Sequence, residues 1–152
     1  MNDRPDLALR RLQVDTYLTL ARIRGGLERR ATALFAETEL DVTPAQSNVL
    51  LLLLHGREPA TARQLAERLG CSEVTVGRFV KALEERDWVE RTPHPSDGRA
   101  MLVQPTAKAR ESMPKLIALA NTLLDEAFAG LEKAEIEALA AVAERIRDNL
   151  TR

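Results

Sequence analysis

The chain has 152 residues, of which 45% are hydrophobic and 30% charged, and its formal net charge at pH 7 is -1. This composition is typical of a folded globular protein and excludes a disordered chain, while the near-neutral charge argues against a non-specific nucleic-acid binder. The longest apolar run, residues 49–54, is too short to cross a bilayer, and residues 1–6 lack signal-peptide character. We therefore expect no membrane partner and a cytoplasmic location, with which a single cysteine agrees.

A long helical pattern covers residues 6–37 and predicts the first helix. Its apolar stripe contains Leu9, Leu12, Thr16, Leu20, Ile23, Leu27 and Leu34, and its arginines are Arg10, Arg11, Arg22, Arg24, Arg29 and Arg30. A helix of this length cannot bury its stripe on itself. The arginines look like a nucleic-acid stripe, but a solvated surface whose aliphatic stems cover apolar neighbours is the preferred interpretation.

A second helix is predicted to follow Thr43, which is a good N-cap. Pro44 suits the first helical position, and Gln46 completes a capping box. The helix is apolar on nearly every side through Leu54, so we expect it to be the central core helix. His55, at its end, is interpreted as a capping or exposed histidine in preference to a ligand contact.

Two short helices joined by a tight turn are predicted over residues 61–86. Thr61 and Gln64 have the spacing of a capping box, and Gly70 supplies the left-handed residue that ends the first of these helices. In the second, residues 72–86, the predicted buried stripe is Val76, Phe79, Val80 and Leu83. A short helix, a glycine turn and a hydroxyl-rich helix are typical of a helix-turn-helix.

The opposite surface of the helix over residues 72–86 is a candidate DNA-reading face. It carries Ser72, Thr75, Gly77, Arg78 and Lys81. Hydroxyl groups and arginine donate hydrogen bonds to phosphates and base edges, and a glycine lets the backbone come close. Gly77 costs about 1 kcal/mol relative to alanine inside a helix, so its presence asks for a reason. The alternative interpretation is a solvated face with a chance glycine.

A β-hairpin wing is predicted after this helix. Two short strands, residues 88–91 and 101–103, flank a segment with the turn residues Pro93, Pro95 and Gly98. The tip carries His94, Asp97 and Arg99. His94 and Arg99 are candidate DNA contacts; Arg99 is expected to enter a minor groove, and Asp97 to pair with it or with the backbone and so stabilise the wing. The DNA-binding interpretation depends on the local basic run Arg78, Lys81, Arg91 and Arg99.

The remaining chain predicts two more helices. Thr106 should cap the first, Pro114 should bend it and Gly130 should end it, and the second covers residues 132–150. Together with the first helix of the chain, they have more apolar stripe than a small winged domain can cover. The simplest way to bury these apolar stripes is contact with a second copy of the chain. The alternative is that the stripes pack against each other within a monomer.

Several segments combine in a recognisable order. They are Thr43-Pro44-Ala45-Gln46, Gln64-Leu65-Ala66, Ser72, Thr75-Val76, Leu83-Glu84, Trp88-Val89-Glu90-Arg91, Asp97-Gly98-Arg99 and Pro105-Thr106. In these segments the chain resembles the MarR family of winged helix-turn-helix regulators. The resemblance implies a homodimer, a palindromic operator, and relief of repression by a small ligand or an oxidant. Three positions depart from the family pattern: Asp87 replaces a common glycine, Gly77 stands where a small hydroxyl residue is frequent, and residues 107–109 lack a glycine.

Cys71 is a candidate redox residue because it directly precedes the predicted N-cap Ser72. The helix dipole and backbone donors at that place favour a thiolate, so oxidation would disturb the DNA-reading helix. The preferred alternative is an ordinary, partly buried residue of the turn.

Catalysis finds little support in the sequence. It has two histidines, and we find no phosphate-binding glycine loop, zinc-protease motif or paired cysteines. His94, Ser96 and Asp97 have the residue types of a catalytic triad, but neighbours on one turn cannot adopt its geometry. We expect no enzyme activity, cofactor or metal.

The predicted fold is mainly α with a small β-hairpin wing, a winged helix-turn-helix with long N- and C-terminal dimerisation helices. Residues 1–37 and 106–152 are assigned to dimerisation and residues 38–105 to the DNA-binding lobe. The predicted function is a homodimeric, sequence-specific transcriptional regulator of a palindromic double-stranded operator, with repression as its expected action. A small-molecule effector would bind between the dimer helices and the lobe, with Tyr17, Arg24 and His55 as candidate lining residues. The alternative is a winged-helix module that binds a protein partner and no DNA.

Overall fold

The computed structural model describes residues 6–151 and confirms the predicted fold class. Residues 1–5, part of the segment judged to lack signal-peptide character, and residue 152 lie outside the described range. The described elements are α1 (Leu7–Ala36), α2 (Pro44–His55), β1 (Ala60–Thr61), α3 (Ala62–Leu69), α4 (Glu73–Glu85), β2 (Val89–Pro93), β3 (Met101–Pro105), α5 (Ala107–Ala127) and α6 (Lys133–Leu150). Within that range, no helix is long and apolar enough to span a membrane.

Side-chain caps fix the starts of the helices where the sequence predicts them. Thr43 and Thr61 each form a reciprocal capping box, with Gln46 and Gln64 respectively. The Thr106 side chain accepts a hydrogen bond from Ala109 N and begins α5. Each cap satisfies backbone donors that the first turn of a helix leaves unpaired. These short-range bonds are local, which is why the sequence alone predicts them.

The sheet has three strands in the order β1-β3-β2, whereas the sequence predicted two. Each wing strand also extends two residues further toward its carboxyl end than predicted. The pairing runs from Val89–Pro105 to Pro93–Met101. The additional strand, β1, pairs Ala60 with Val103 and Thr61 with Leu102. It has two residues and runs directly into the cap of α3, so it is too short to produce an alternating pattern.

The core lies between α2, α3, α4, α5 and the inner face of the sheet. The position of α2 at its centre is confirmed, because Val49 and Leu50 are fully buried and Leu53 is nearly so. The other fully buried residues of the core are Leu65, Val76, Leu83, Trp88, Val89, Val103, Ala109 and Leu116. Every element of the helix-turn-helix and both wing strands therefore contribute to one apolar cluster.

Trp88 joins three parts of the chain at the junction between α4 and the wing. The ring is 1% exposed, and its Nε1 donates a 2.7 Å hydrogen bond to Oδ1 of Asp41 in the loop between α1 and α2. Lys108 of α5 lies over the ring, with Nζ 4.5 Å from the ring centroid and 3.6 Å from Asp41 Oδ1. A buried indole requires an acceptor for its N–H, and Asp41 supplies it.

The backbone turns into the wing at Asp87. This residue has a φ of 62°, the left-handed conformation that a glycine usually occupies. Asparagine and aspartate enter that region more easily than other residues with a side chain, which is why aspartate can stand here in place of glycine. The Thr106 hydroxyl donates to the Asp87 carbonyl at 2.7 Å and holds the turn against the start of α5.

The outer helices contribute little to the core of the single chain. In α1 only Ala31 and Leu34 are buried, and α6 has no buried residue. Arg30 of α1 forms two 2.6 Å bonds with Glu126 of α5. α5 continues through Pro114 but ends at Ala127, three residues before the predicted Gly130, which has a φ of 79° in the following turn.

The environment of Asp41 predicts a loss of stability in acid. Burial alone would raise the pKa of Asp41, but the bond from Trp88 and the charge of Lys108 outweigh it and hold the pKa below its ordinary value of 3.8. Because the pKa is lower in the folded state, the unfolded chain binds this proton first, and stability falls as pH decreases below about 4. Asp41→Asn keeps an acceptor for Trp88 and removes the charge, so part of this acid sensitivity should disappear.

Urea unfolding of both proteins near neutral pH and near pH 3 measures this change. Glu39→Gln removes a carboxylate from the same loop and is the matched control, because Glu39 forms no ion pair with any other described residue. An equal acid response of the wild type and Asp41→Asn would contradict the role of the Asp41 charge.

Candidate nucleic-acid interface

One side of α4 packs into the core, and this fixes the orientation of the helix. Val76, Val80 and Leu83 are buried against the other helices, which turns the opposite side outwards. The predicted DNA-reading residues on that side are Ser72, Gly77, Arg78 and Lys81, all exposed, and Thr75, which is half-buried. The structure therefore brings these five residues together on one accessible helix face.

The first turn of α4 is held by a hydroxyl pair. Ser72 is the N-cap, and its Oγ accepts a hydrogen bond from Thr75 N at 3.1 Å. The two hydroxyl oxygens are 2.9 Å apart and share a further hydrogen bond. Ser72 is therefore already committed to the helix start, and only the remaining hydrogen-bonding capacity of the pair is available to a nucleic acid.

Two long cations on this face have no internal partner. Among residues 6–151, neither Arg78 nor Lys81 forms an ion pair or a side-chain hydrogen bond. Arg91, assigned to the same basic run, is different: it donates two hydrogen bonds to Glu84 Oε2, at 3.0 and 2.6 Å. This bond lowers the pKa of Glu84. Arg91 is therefore neutralised within the chain, and the free charge of the face is carried by Arg78 and Lys81.

Gly77 is not required by packing within the chain. A Cβ placed on it would meet no atom within 4 Å, and its backbone is ordinary helix. Alanine at this position would be more favourable for the helix by about 1 kcal/mol. The fold therefore gives no reason for the glycine, whereas close approach of another molecule to α4 would give one.

The wing tip is ordered by side-chain to backbone bonds. His94 Nδ1 accepts from Asp97 N at 3.1 Å, and Asp97 Oδ1 accepts from Arg99 N at 3.0 Å. Of the two pairings expected for Asp97, the structure contains the backbone bond. The Arg99 side chain is exposed and forms no ion pair with the described residues. It is thus the free cation of the wing.

A groove of about 510 Å³ separates α4 from the wing. Its lining includes Glu73 and Gly77 from α4, Arg91 from β2, and His94 and Arg99 from the wing. The groove brings the helix face and the wing tip to the same side of the lobe. This is the arrangement needed for one to enter a major groove while the other contacts the adjacent backbone or minor groove.

Cys71 is exposed, which is contrary to the partly buried turn residue preferred from the sequence. Its backbone N–H donates to Ala66 O at 3.1 Å as part of the turn after Gly70. The exposed thiol stands next to the start of α4. Its redox activity stays a prediction.

The three candidate effector residues do not converge. Tyr17 lies in an open recess between α1 and Ile146 of α6, Arg24 forms a 3.3 Å pair with Glu28, and His55 lines a separate apolar recess. Sequence reasoning missed a different apolar cavity of about 270 Å³ between α1, α2 and α5. In the part of the chain that the structure describes, no cluster of histidine, cysteine and carboxylate side chains is arranged to hold a metal ion.

A helix-turn-helix with a free basic face, placed beside a β-hairpin with a free arginine at its tip, defines a winged helix-turn-helix DNA-binding protein. The MarR family model matches residues 43–101, which span α2 to the first residue of β3. Over these residues the chain matches the MarR family of transcriptional regulators.

Individual relatives and solved structures are similar to the chain over most of their length. The HTH-type transcriptional repressor IacR of Pseudomonas putida is 23% identical over 134 residues, covering 88% of this chain and 78% of IacR. The structure of a mutant of MarR from E. coli complexed with operator DNA is 22% identical with a TM-score of 0.76, covering 88% of this chain and 94% of that one. CouR from Rhodococcus jostii RHA1, bound to p-coumaroyl-CoA, is also 22% identical with a TM-score of 0.76, and the coverage is 89% and 93%.

The open space at Gly77 leads to a prediction with two opposite effects. Gly77→Ala should stabilise the free protein by about 1 kcal/mol, because alanine is the better helix former. It should weaken specific DNA binding by about 1 to 3 kcal/mol, the scale of one base contact, because the new methyl group occupies the face that approaches DNA. Thermal unfolding and operator titration of the same variant measure both effects. Unchanged affinity in the stabilised variant would make Gly77 an ordinary solvated position.

Proposed function

We propose that this MarR-family regulator is a repressor that binds a palindromic operator as a homodimer and releases it when a small ligand binds. The observation that supports this most directly is the exposed face of α4, where Arg78 and Lys81 have no partner among the described residues. The wing supplies Arg99 on the same side. The relative named a repressor and the related fold in complex with operator DNA agree with this proposal.

In the proposed complex, α4 lies in the major groove. Arg78 has the geometry to pair with a guanine edge, and Lys81 supplies charge to a phosphate. Ser72 and Thr75 lie at the start of α4, where helix N–H groups also favour phosphate. Gly77 permits close approach. A chain with net charge -1 has no general attraction for DNA, so these local groups carry the affinity.

The wing is proposed to reach the adjacent minor groove with Arg99. A narrow minor groove has an enhanced negative potential, which attracts an arginine that has no partner of its own. Asp97 stabilises the wing by accepting the Arg99 backbone N–H. The side chain of Arg99 remains free for DNA.

The homodimer is inferred from the apolar surface that a single chain leaves open. The large exposed side chains of α1 and α6 include Leu9, Leu12, Leu20, Ile23, Leu139, Val142 and Ile146. A contiguous apolar surface of this kind is unfavourable in a monomer and typical of an interface between subunits. Two-fold pairing would also place two α4 helices about one turn of DNA apart. Residues 1–37 and 106–152 are thus proposed to dimerise and residues 38–105 to bind DNA.

The effector site is proposed to be the apolar cavity between α1, α2 and α5. It joins the proposed dimer helices to the central helix of the DNA-binding lobe, and its walls include Leu27, Ala31, Leu51 and Leu123. A ligand that fits one spacing of these helices better than another would shift the population of DNA-competent dimers by the difference in its affinity. The related fold with a bound acyl-CoA agrees with a ligand-responsive architecture.

We infer that the chain has no catalytic role. We also infer a location in the cytoplasm, where a regulator of this type meets its operator. A second candidate function is a winged-helix module that binds a protein partner. The near-neutral charge of the chain is the observation that favours it.

Comparison of two DNA duplexes tests the proposed function. The purified protein is titrated against the DNA upstream of its own gene and against random duplex of equal length, across a salt series. A preference of about a thousandfold or more for a palindromic segment is expected of a specific regulator. Equal weak binding to both duplexes by an intact dimer would contradict the proposal and favour the protein-partner module.

Substitution of the two free arginines should separate base reading from backbone attraction. Arg78→Ala should weaken specific binding by about 1 to 3 kcal/mol and relax the preference for one base. Arg99→Ala should mainly lower the dependence of affinity on salt, by about one unit of slope. Arg57→Ala is the control, because Arg57 lies with Gln104 and Pro105 at the base of the wing, far along β3 from its tip. Wild-type affinity in either test variant would refute the role of that arginine.

A charge on the open surface of α6 should dissociate the dimer without unfolding the chain. Leu139 is 49% exposed and belongs to a helix with no buried residue, so Leu139→Asp leaves the core of each chain unchanged. We expect monomers by light scattering, an unchanged circular dichroism spectrum and loss of operator binding. Ala141→Asp adds the same charge about 200° around the helix and should stay dimeric. A dimer of unchanged affinity in Leu139→Asp would contradict this interface.

A further inference from the structure

His94 holds the wing tip together from inside its turn. The ring nitrogen Nδ1 accepts hydrogen bonds from two backbone amides, Ser96 N at 3.2 Å and Asp97 N at 3.1 Å. The backbone N–H of His94 donates to Ala100 O at 3.1 Å and closes the other end of the turn. His94 is half-buried, whereas the residues from Pro95 to Arg99 are exposed. The imidazole is thus the internal support of the loop.

This support continues from His94 to Arg99. The residue whose N–H binds the ring, Asp97, also accepts the Arg99 N–H on its carboxylate at 3.0 Å. The Asp97 carbonyl accepts from Ala100 N at 3.1 Å. Since the Arg99 side chain has no ion pair among residues 6–151, the position of its backbone decides where the guanidinium can reach. That position depends on the turn that His94 supports.

The hydrogen bonds at Nδ1 require a neutral ring. An imidazole nitrogen accepts a hydrogen bond only while it carries no proton, so the single proton of the ring is on Nε2 in this arrangement. A second proton would convert Nδ1 into a donor that faces two backbone donors, with only the Ser96 hydroxyl oxygen, 3.3 Å away, able to accept from it. Both backbone bonds would then be lost, and two N–H dipoles would point at a cation.

We propose that His94 is a positioning residue whose neutral ring fixes the turn that presents Arg99 to DNA, and whose protonation releases that turn and weakens DNA binding. This role replaces the direct DNA contact expected for His94 from the sequence. It rests on the proposed DNA-binding function, and it adds pH as a signal that acts on the wing independently of any ligand in the cavity between α1, α2 and α5.

Charged groups from several elements face the groove that contains His94. They are Arg63 of α3, Glu73 of α4, Arg91 of β2, and Asp97 and Arg99 of the wing itself. Arg91 is paired with Glu84 at 2.6 Å. Arginine and carboxylate side chains ordinarily keep their charge between about pH 5 and 8, whereas histidine is the residue type that ordinarily changes charge in that interval. A change of DNA affinity in that interval that depends on the residue at position 94 therefore reports on this ring.

A DNA-free experiment tests the hydrogen-bonding pattern. Nitrogen-15 spectra of the imidazole rings in the labelled protein, recorded near pH 8, report which ring nitrogen carries the proton. We expect His94 in the form protonated at Nε2, with the Ser96 and Asp97 amides exchanging more slowly than in His94→Ala. A ring protonated at Nδ1, or equal exchange in the two proteins, would overturn the positioning role.

A second experiment compares operator affinity near pH 8 and near pH 5.5 at one salt concentration. The wild type should bind about tenfold more weakly at the lower pH, the scale expected for loss of one to two net hydrogen bonds. His94→Ala should be weak at both values. His94→Asn should restore affinity relative to His94→Ala and remove the pH effect of the ring, because its Oδ1 can accept the same two amides and does not titrate.

His55→Asn is the matched control for the other histidine of the chain, which lies at the end of α2 in an apolar recess. It should keep the wild-type pH response. Equal pH responses in the wild type and His94→Asn, or wild-type affinity in His94→Ala, would overturn the proposal while leaving the regulator function intact. Absence of operator binding by the wild type at both pH values would instead refute the regulator function and the pH effect together, and the ring spectra would still decide the structure of the turn.

Discussion

The contact of Asp41, Trp88 and Lys108 determines how the DNA-binding lobe is assembled. The indole is the largest fully buried side chain, and its N–H has one acceptor, a carboxylate from the loop before α2. Lys108 covers the ring and also donates from Nζ to the Arg86 carbonyl at the end of α4, at 2.7 Å. One side chain thus fixes the end of α4, the start of the wing and the first turn of α5 against each other, so the geometry of the DNA-facing surface depends on it.

Much of the local structure was predictable because it depends on neighbours in sequence. The capping boxes at Thr43 and Thr61, the left-handed Gly70 and the buried stripe of α4 all follow from side chains three or four residues apart. The left-handed Asp87 was also recognisable, since it stands where glycine is easiest. These features, with the MarR resemblance, were sufficient to predict the fold class and the surface on which the candidate site lies.

What the sequence could not supply depends on distances between separate elements. Strand β1 exists because β3 offers it a partner more than forty positions away, and two residues leave no periodic signal. The sequence could not show that Arg91 is paired with Glu84, because composition does not distinguish a paired arginine from a free one. The apolar cavity is lined by residues whose spacing indicates only that they are buried. His94 was recognised as a wing residue, but its inward orientation becomes visible only when the turn is folded.

The short strand β1 makes the wing and the reading helix a single mechanical unit. Thr61 belongs to β1, where it pairs with Leu102 of the wing, and it is also the N-cap of α3, whose turn leads into α4. A wing attached only through its own hairpin would swing separately from the helices. Here β1 pairs with β3 and leads directly into α3, so a tilt of α3 would move β3 with it. In the proposed dimer, each lobe would then move as one rigid body. Adjustment to DNA would change the separation of the two lobes and leave the position of each wing relative to its α4 unchanged.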